Sequence, residues 1–187
     1  MVGIRRMSDE ELCAPAFKGM VSFDPLEVRF LVGMYKIFDD SLERVEKFIE
    51  CMSKNEPIIS RGHIQRYQLM IAGDHAASPD QYFFGGYIDK AKNPATPFGA
   101  NYLTPITVAA VSAVINRNVE FPHAAALFAD WSLSDESQAI LAKDFRGPVA
   151  SKHPFFPPEA KIVAYTTVPR EVEDKLVAIW RKYMRDK

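Results

Sequence analysis

Residues 78–84 concentrate the side chains of this chain that could contact a ligand. They read Ser-Pro-Asp-Gln-Tyr-Phe-Phe, so aromatic rings lie beside a hydroxyl, a carboxylate and an amide. Tyrosine and phenylalanine in a cleft can stack on an organic ligand, and nearby polar groups can fix its orientation. The same rings could equally be core or interface aromatics, and that alternative stays open. The candidate ligand-binding residues are Ser78, Asp80, Gln81, Tyr82 and Phe83, with His75 before the segment and Asn101 in the loop after it.

The remaining chemistry does not predict an enzyme or a resident metal. The four histidines are scattered and never recur at the i, i+4 spacing of a hydrolytic metal site. The sequence contains no nucleophile elbow, phosphate-binding loop or dinucleotide fingerprint. We therefore predict no catalytic residues, no metal site and no cofactor. A small enzyme that uses Tyr82, Asp80 or His75 in a pocket is one of two alternatives.

Hydrophobic periodicity and capping residues predict a series of helices. The first opens after Asp24-Pro25, the second is capped by Asp40 or Ser41, and the third covers about residues 63–72 and ends at Gly73. A final helix begins near Pro169. The predicted buried face of the second helix comprises Leu42, Val45, Phe48, Ile49 and Met52, and that of the final helix Val172, Leu176, Ile179 and Tyr183.

Strands are predicted at residues 21–23 and 106–115. The second of these runs is almost continuously apolar and β-branched, which is typical of a strand buried on both faces. Residues 78–105 are rich in proline, glycine and asparagine and predict a loop with short strands. The alternation indicates a single α/β domain over residues 1–187, with a mixed sheet flanked by helices. In such folds, ligands bind at the carboxyl ends of the strands.

Two consecutive amphipathic helices are predicted within residues 121–144. Pro122 suits a first helical turn, and Ser134 is a typical N-cap for the second helix. The first helix has an apolar stripe at i, i+3, i+4 and i+7, which we expect to be buried. The stripe consists of Ala124, Leu127, Phe128 and Trp131.

This helical segment resembles a phrase near the C-terminus of the type 2 periplasmic solute-binding proteins of ABC importers, which reads pHPnAAklFidwlLSpEGQ. The matching residues are Pro122-His123, Ala125-Ala126, Leu127-Phe128, Asp130-Trp131, Leu133-Ser134, Glu136 and Gln138. Three weaker blocks, at residues 17–24, 55–62 and 71–74, follow the order of the second lobe of that family. The resemblance covers about residues 10–155, and the closest subgroup carries ferric iron, phosphonates, small carboxylates or thiamine.

The resemblance implies a periplasmic-binding-protein-like second lobe with its C-terminal helices, the first lobe being missing. It implies non-covalent binding of a small-molecule ligand, a permease of an ABC importer as partner of a full-length binder, and a periplasmic location. No apolar stretch follows Arg5-Arg6, so we expect no secretory signal and a cytoplasmic location for the chain expressed as it stands. Iron-binding members have two adjacent tyrosines where this chain has Tyr82-Phe83, which argues against a tight ferric site.

The alternative function is a free-standing structural or interaction module. A lone lobe would expose the apolar surface that faced its twin, and we expect a homo-oligomer to cover it. The net charge of −1 argues against nucleic acid as a partner. No apolar run approaches the ~20 residues that membrane insertion requires. Cys13 and Cys51 could pair, but two cysteines in a chain of this size favour free thiols.

Overall fold

The computed structural model describes residues 9–25, 28–100, 106–108, 112–146, 162–164 and 168–184. The chain divides into two compact units, which are described separately. The first unit comprises Met1–Ala109 and Ala160–Lys187, and the second comprises Ala110–Glu159. The prediction that residues 1–187 form one domain stays a prediction.

Helices predominate in both units. The first unit begins with two short 3-10 helices, at Asp9–Cys13 and Pro15–Phe17. Its strands are β1 (Ser22–Phe23), β2 (Ile58–Ile59), β3 (Ile106–Val108) and β4 (Ile162–Ala164). Its helices are α1 (Val28–Ile37), α2 (Leu42–Lys54), α3 (His63–Ala72), α4 (Phe84–Lys92) and α7 (Arg170–Met184), whereas α5 (Pro122–Ser132) and α6 (Asp135–Lys143) form the second unit.

Parallel pairing places β1 in the middle of a small sheet. β1 pairs with β2 in the register Ser22 to Ile58, and on its other side Val21 forms a parallel bridge with Ala77. Helices α1 and α2 make the connection from β1 to β2, and α3 makes the connection from β2 to Ala77. The carboxyl ends of all three segments therefore point to the same edge of the sheet. A second parallel pair joins β3 to β4.

The core lies between β1 and the helices α1, α2 and α7. Helix α2 starts where predicted, because the Ser41 side chain accepts a hydrogen bond from the Arg44 amide at 3.3 Å. The predicted inner face of α2 is buried from Val45 to Met52, and Leu42 is half-buried against it. From α7, Leu176 is fully buried, and the Trp180 ring meets Phe23 edge-on at 5.7 Å. The predicted α2, α3 and α7 are thus confirmed.

Cys13 and Cys51 form a disulfide, so the prediction of free thiols is wrong. The bond ties the first 3-10 helix to α2, with 5.9 Å between the two Cα atoms. Cysteine count and spacing could not reveal this pairing, because it depends on how the N-terminal segment packs against α2.

The strand predicted over residues 106–115 is shorter than the apolar run. Ile106 is buried and begins β3, whose three residues pair with β4, while residues 109–111 lie outside the described part. Residues 112–116 have no regular structure, and Val114 is 87% exposed. The prediction is therefore wrong for this second half, since β-propensity forms a strand only where a partner strand is available.

Residues 84–92 were predicted as loop and form the helix α4 instead. Gly85 and Gly86 contributed to the glycine-rich composition that predicted a loop. Gly86 instead allows another part of the chain to approach the helix closely. A Cβ atom added there would overlap the ring of Phe98, whereas one added at Gly85 would meet nothing. Gly86 therefore makes room for the Phe98 ring and does not interrupt the helix.

Replacing Gly86 with alanine is expected to lower the free energy of unfolding by about 1–3 kcal/mol, because the Phe98 ring must move out of its buried position. The adjacent Gly85→Ala is the matched control and should leave stability unchanged or slightly raised, since alanine favours helix. Urea unfolding of both variants measures the difference. Equal midpoints would show that Phe98 does not pack on Gly86.

The second unit confirms the predicted helix-turn-helix. Pro122 is the first residue of α5, and the Ser134 side chain accepts a hydrogen bond from the Ser137 amide at 3.3 Å to cap α6. The expected burial of one α5 face is wrong. Leu127 is 71% and Phe128 64% exposed, and α5 has no buried residue. Ala124 and Trp131 are also exposed, and the Trp131 indole donates to Glu136 at 3.2 Å.

A candidate ligand-binding groove

An open groove of about 610 Å³ lies on the first unit, where the first turns of α3 face the segment that leads into α4. Its volume falls in the range typical of small-molecule sites. Most of its walls are aromatic, aliphatic or amide side chains. The lining residues are Gly62, His63, Ile64, Gln65, Tyr67, Gln68, Gln81, Tyr82, Phe84 and Gly85.

The carboxyl edge of the parallel sheet positions this groove. Asp24 follows β1, Gly62 follows β2, and Asp80 follows the bridge residue Ala77. The Asp24 amide donates to the Asp80 carboxylate at 2.6 Å, and the Asp24 carboxylate in turn accepts from the Gly62 amide at 3.0 Å. The three loops are thereby fastened to one another, at the edge where α/β folds bind ligands.

A buried ion pair fixes the back of the groove. The guanidinium of Arg66 donates through Nη1 to Asp80 Oδ1 at 2.5 Å, and both side chains are essentially inaccessible to solvent. The same Nη1 donates to Ser78 Oγ at 2.9 Å, and Nη2 lies 3.1 Å from His63 Nδ1. Burial raises the pKa of the Asp80 carboxyl, while Arg66 and the Asp24 amide oppose this by stabilising the carboxylate.

His63, Tyr82 and Phe84 form an aromatic ledge along one wall. The rings of Tyr82 and Phe84 are stacked, with 5.9 Å between centroids and 26° between planes. The His63 ring lies 4.1 Å from the Tyr82 ring, and the guanidinium of Arg29 lies 5.8 Å from the same centroid. These rings present a surface on which a ligand ring can stack.

Polar groups flank the ledge. Gln81 donates through Nε2 to the backbone oxygen of His63 at 2.9 Å, and its Oε1 is buried with no hydrogen-bond partner among the described residues. The Tyr67 hydroxyl donates to Asp89 at 2.9 Å. Burial, together with Asp89, raises the pKa of Tyr67, so its phenol stays protonated.

The predicted site residues fall into separate places. Gln81 and Tyr82 line the groove, whereas Ser78 and Asp80 lie behind it around Arg66. The Phe83 ring contacts Tyr87 edge-on at 5.8 Å, and His75 is buried. Asn101 lies outside the described residues. Ligand contact by any of them stays a prediction.

Sequence reasoning missed the part of the groove that α3 supplies. Five lining residues belong to the first turns of this helix, namely His63, Ile64, Gln65, Tyr67 and Gln68. The sequence carried only a weak signal, because Ile58-Ile59 precedes the predicted helix but only the parallel pairing of β2 with β1 shows that the first turn of α3 lies at the carboxyl edge. The role of Arg66 had no such signal, since a buried arginine cannot be told from a surface one without its partner.

Buried His75 should make stability depend on pH. Burial lowers the pKa of its imidazole below the ordinary 6.5 and outweighs a hydrogen bond with the Arg66 backbone, which raises it, while the charges of Arg66 and Asp74 act in opposite directions. The unfolded chain therefore takes up a proton near pH 6.5 that the folded chain accepts only at lower pH. Stability contributed by neutral His75 is fully present above this pH and is lost as the pH falls below it.

We expect urea unfolding to show a larger loss of stability between about pH 7 and about pH 5 for the wild type than for His75→Gln. Titration of the His75 ring by NMR in the wild type provides a second measurement, and should give a midpoint below that of a free histidine. A midpoint at or above the ordinary value would contradict the prediction.

Among the described residues, there is no group of three or more histidine, cysteine or acidic side chains placed to hold a metal ion. No helix in the described part of the chain is long and apolar enough to cross a bilayer.

Comparison with known proteins identifies one fold relationship. No protein-family model and no curated protein matches the sequence. The chain is similar to the crystal structure of iron-bound HitA from Pseudomonas aeruginosa, with a TM-score of 0.64 and 14% sequence identity over 98% of this chain. The chain spans 63% of the length of that structure. At this identity the likeness shows the fold alone, and it confirms the predicted α/β, periplasmic-binding-protein-like fold.

Proposed function

We propose that this chain is a solute-binding protein of the ABC-importer type, or a part of one, that binds a small organic ligand non-covalently. The observation that carries the proposal is the groove at the carboxyl edge of the sheet, bounded by the aromatic ledge. The shared fold with iron-bound HitA supports it. Non-covalent binding requires a concave and largely apolar surface, and the groove has both. It does not require a nucleophile or a general base.

The proposal extends to the resemblance noted in the sequence. The described chain would correspond to the second lobe and the C-terminal helices of a two-lobed binder, and a permease would be the partner of the complete protein. A periplasmic location fits the Cys13–Cys51 disulfide, because disulfides persist in oxidising compartments.

The proposed ligand is organic rather than ferric iron. HitA is iron-bound, but in this chain the neighbour of Tyr82 is Phe83, which has no phenolate to offer. A single phenolate is a poor ferric site compared with two. In addition, Tyr82, Phe84 and His63 bring three rings together at the wall of the groove, and such an aromatic surface suits an organic ligand.

A library of small organic solutes, with ferric citrate included, tests this function by thermal shift. We expect organic hits that stabilise the wild type, that are lost in Tyr82→Ala and that are retained in Phe128→Ala. Phe128 is the matched control, since its exposed ring lies on α5, outside the groove. Stabilisation by ferric citrate alone, lost in Tyr82→Phe, would contradict an organic ligand, and an absence of any hit would contradict the binding function.

A second candidate function is that of an oligomeric interaction module, favoured by the exposed apolar side chains of α5. Exposed apolar area of this kind is commonly covered by another copy of the chain. Light scattering at micromolar concentration tests it, and a monomer at every concentration would count against it.

A further inference from the structure

Charged side chains are absent from the lining of the groove, although the guanidinium of Arg29 lies 5.8 Å from the centroid of the Tyr82 ring. None of its ten lining residues is an aspartate, a glutamate, a lysine or an arginine. Behind it, Arg66 is neutralised by Asp80, and the Gly62 amide at the positive end of α3 donates to the Asp24 carboxylate. An ionic ligand would lose part of its hydration here, and none of the lining side chains would offer it an opposite charge, which is costly. The lining itself therefore disfavours ions of either sign.

Ring contacts set the shape of the ligand. Tyr82 and Phe84 are stacked with only 26° between their planes, and His63 continues the ledge at 4.1 Å from Tyr82. Since a guanidinium only donates, His63 Nδ1 is the acceptor in its contact with Arg66 Nη2. The ledge is thus built from rings held in place by the buried pair behind it, and it suits a flat molecule.

Amide side chains supply the polar contacts. Gln65, Gln68 and Gln81 line the groove, and a primary amide both donates and accepts in one plane. The amide of Gln81 is buried at Oε1 and bonded to the His63 backbone at Nε2, so the exposed Gln65 and Gln68 present the amides that a ligand can reach. The complementary group on a ligand carries an N–H donor beside a carbonyl acceptor.

We propose that the groove binds an uncharged, planar ring compound whose edge carries an amide-type pair of donor and acceptor. This rests on the proposed solute-binding function and narrows its ligand class. The rings of the ledge contact the face of the compound, the glutamines contact its edge, and the lack of charged lining residues selects against carboxylates and ammonium groups of the same shape.

Three probes of matched size separate shape from charge: benzamide, benzoate and benzylammonium. At neutral pH we expect NMR titration of the full 187-residue chain to give a dissociation constant for benzamide at least about tenfold lower than for either ion, because the groove lining offers the ions no countercharge. Tyr82→Ala should weaken the binding of all three probes, since it removes the stacking surface that they share.

Charge variants at the exposed lining residue Gln68 provide the second arm. Gln68→Glu should shift the preference toward benzylammonium and Gln68→Lys toward benzoate, whereas Asn118→Glu and Asn118→Lys, in an exposed turn outside the groove, should leave the order unchanged. Tighter binding of either ion by the wild type would overturn the ligand class and leave the solute-binding function standing. Binding of none of the three, with no hit from the solute library, would overturn both.

Discussion

Replacing Arg66 with methionine is expected to lower the free energy of unfolding by about 3–5 kcal/mol, because it leaves the carboxylate of Asp80 buried without its partner. The effect should also reach the groove, since Arg66 holds both Ser78 and His63. The surviving folded protein should therefore bind groove ligands more weakly than the wild type. Denaturant unfolding and ligand titration on the same variant measure the two consequences.

Two comparisons make the Arg66 prediction specific. The double variant Arg66→Met/Asp80→Leu should be less destabilised than the two single changes added together, because no buried charge remains unpaired. Lys47→Met removes an exposed ion pair with Glu43, whose side chains are 72% and 76% accessible, and should leave stability nearly unchanged. If Arg66→Met lowers the free energy of unfolding no more than Lys47→Met does, the Arg66–Asp80 pair does not stabilise the structure around the groove.

Reducing the disulfide is expected to lower the free energy of unfolding by about 4 kcal/mol, according to the entropy of closing a loop with the 38-residue separation between Cys13 and Cys51. The unfolded chain gains most of this freedom, so the folded structure need not change. The midpoint of urea unfolding should fall when a reductant is added to the wild type.

The double variant Cys13→Ser/Cys51→Ser is the control for reduction. Its midpoint of urea unfolding should equal that of the reduced wild type and should not change when a reductant is added. A wild type whose thiols become accessible to alkylation without any change in midpoint would contradict the stabilising role of the bond.

Local signals predicted most of the helices in advance. Ser41 and Ser134 cap α2 and α6 through their own side chains, and Gly73 ends α3 in the left-handed conformation, with a φ of 92°. Such effects depend on residues within one turn of each other. Capping can therefore be predicted from neighbouring residues in the sequence, and the folded chain retains it.

The features that sequence reasoning missed depend on distant partners. Gly86 was interpreted as a turn because its contact, Phe98, comes twelve positions later and enters only through packing. The ion pair of Asp80 was not predicted either, because its partner Arg66 lies on another element. The α5 stripe has the period of a buried face, yet periodicity alone does not name the surface that would cover it.

The sequence therefore predicted only one of the two segments that line the groove. Tyr82 and Gln81 were identified from their residue types in an unusual polar and aromatic segment. The contribution of α3 required knowing that β1 and β2 are parallel neighbours, so that the loops after them converge. Topology, rather than residue type, brings the two halves of this groove together.

The position of α7 in the core has a consequence for how the protein is made. Leu176 and Met184 are buried in the same cluster as Leu12 and Val45, which precede them by more than a hundred residues. The ribosome delivers α1 and α2 long before the helix that covers them, and contacts of such large separation form slowly. During that interval the nascent chain displays an unfinished apolar surface, which is the form of a protein that chaperones bind and that aggregates when they are scarce.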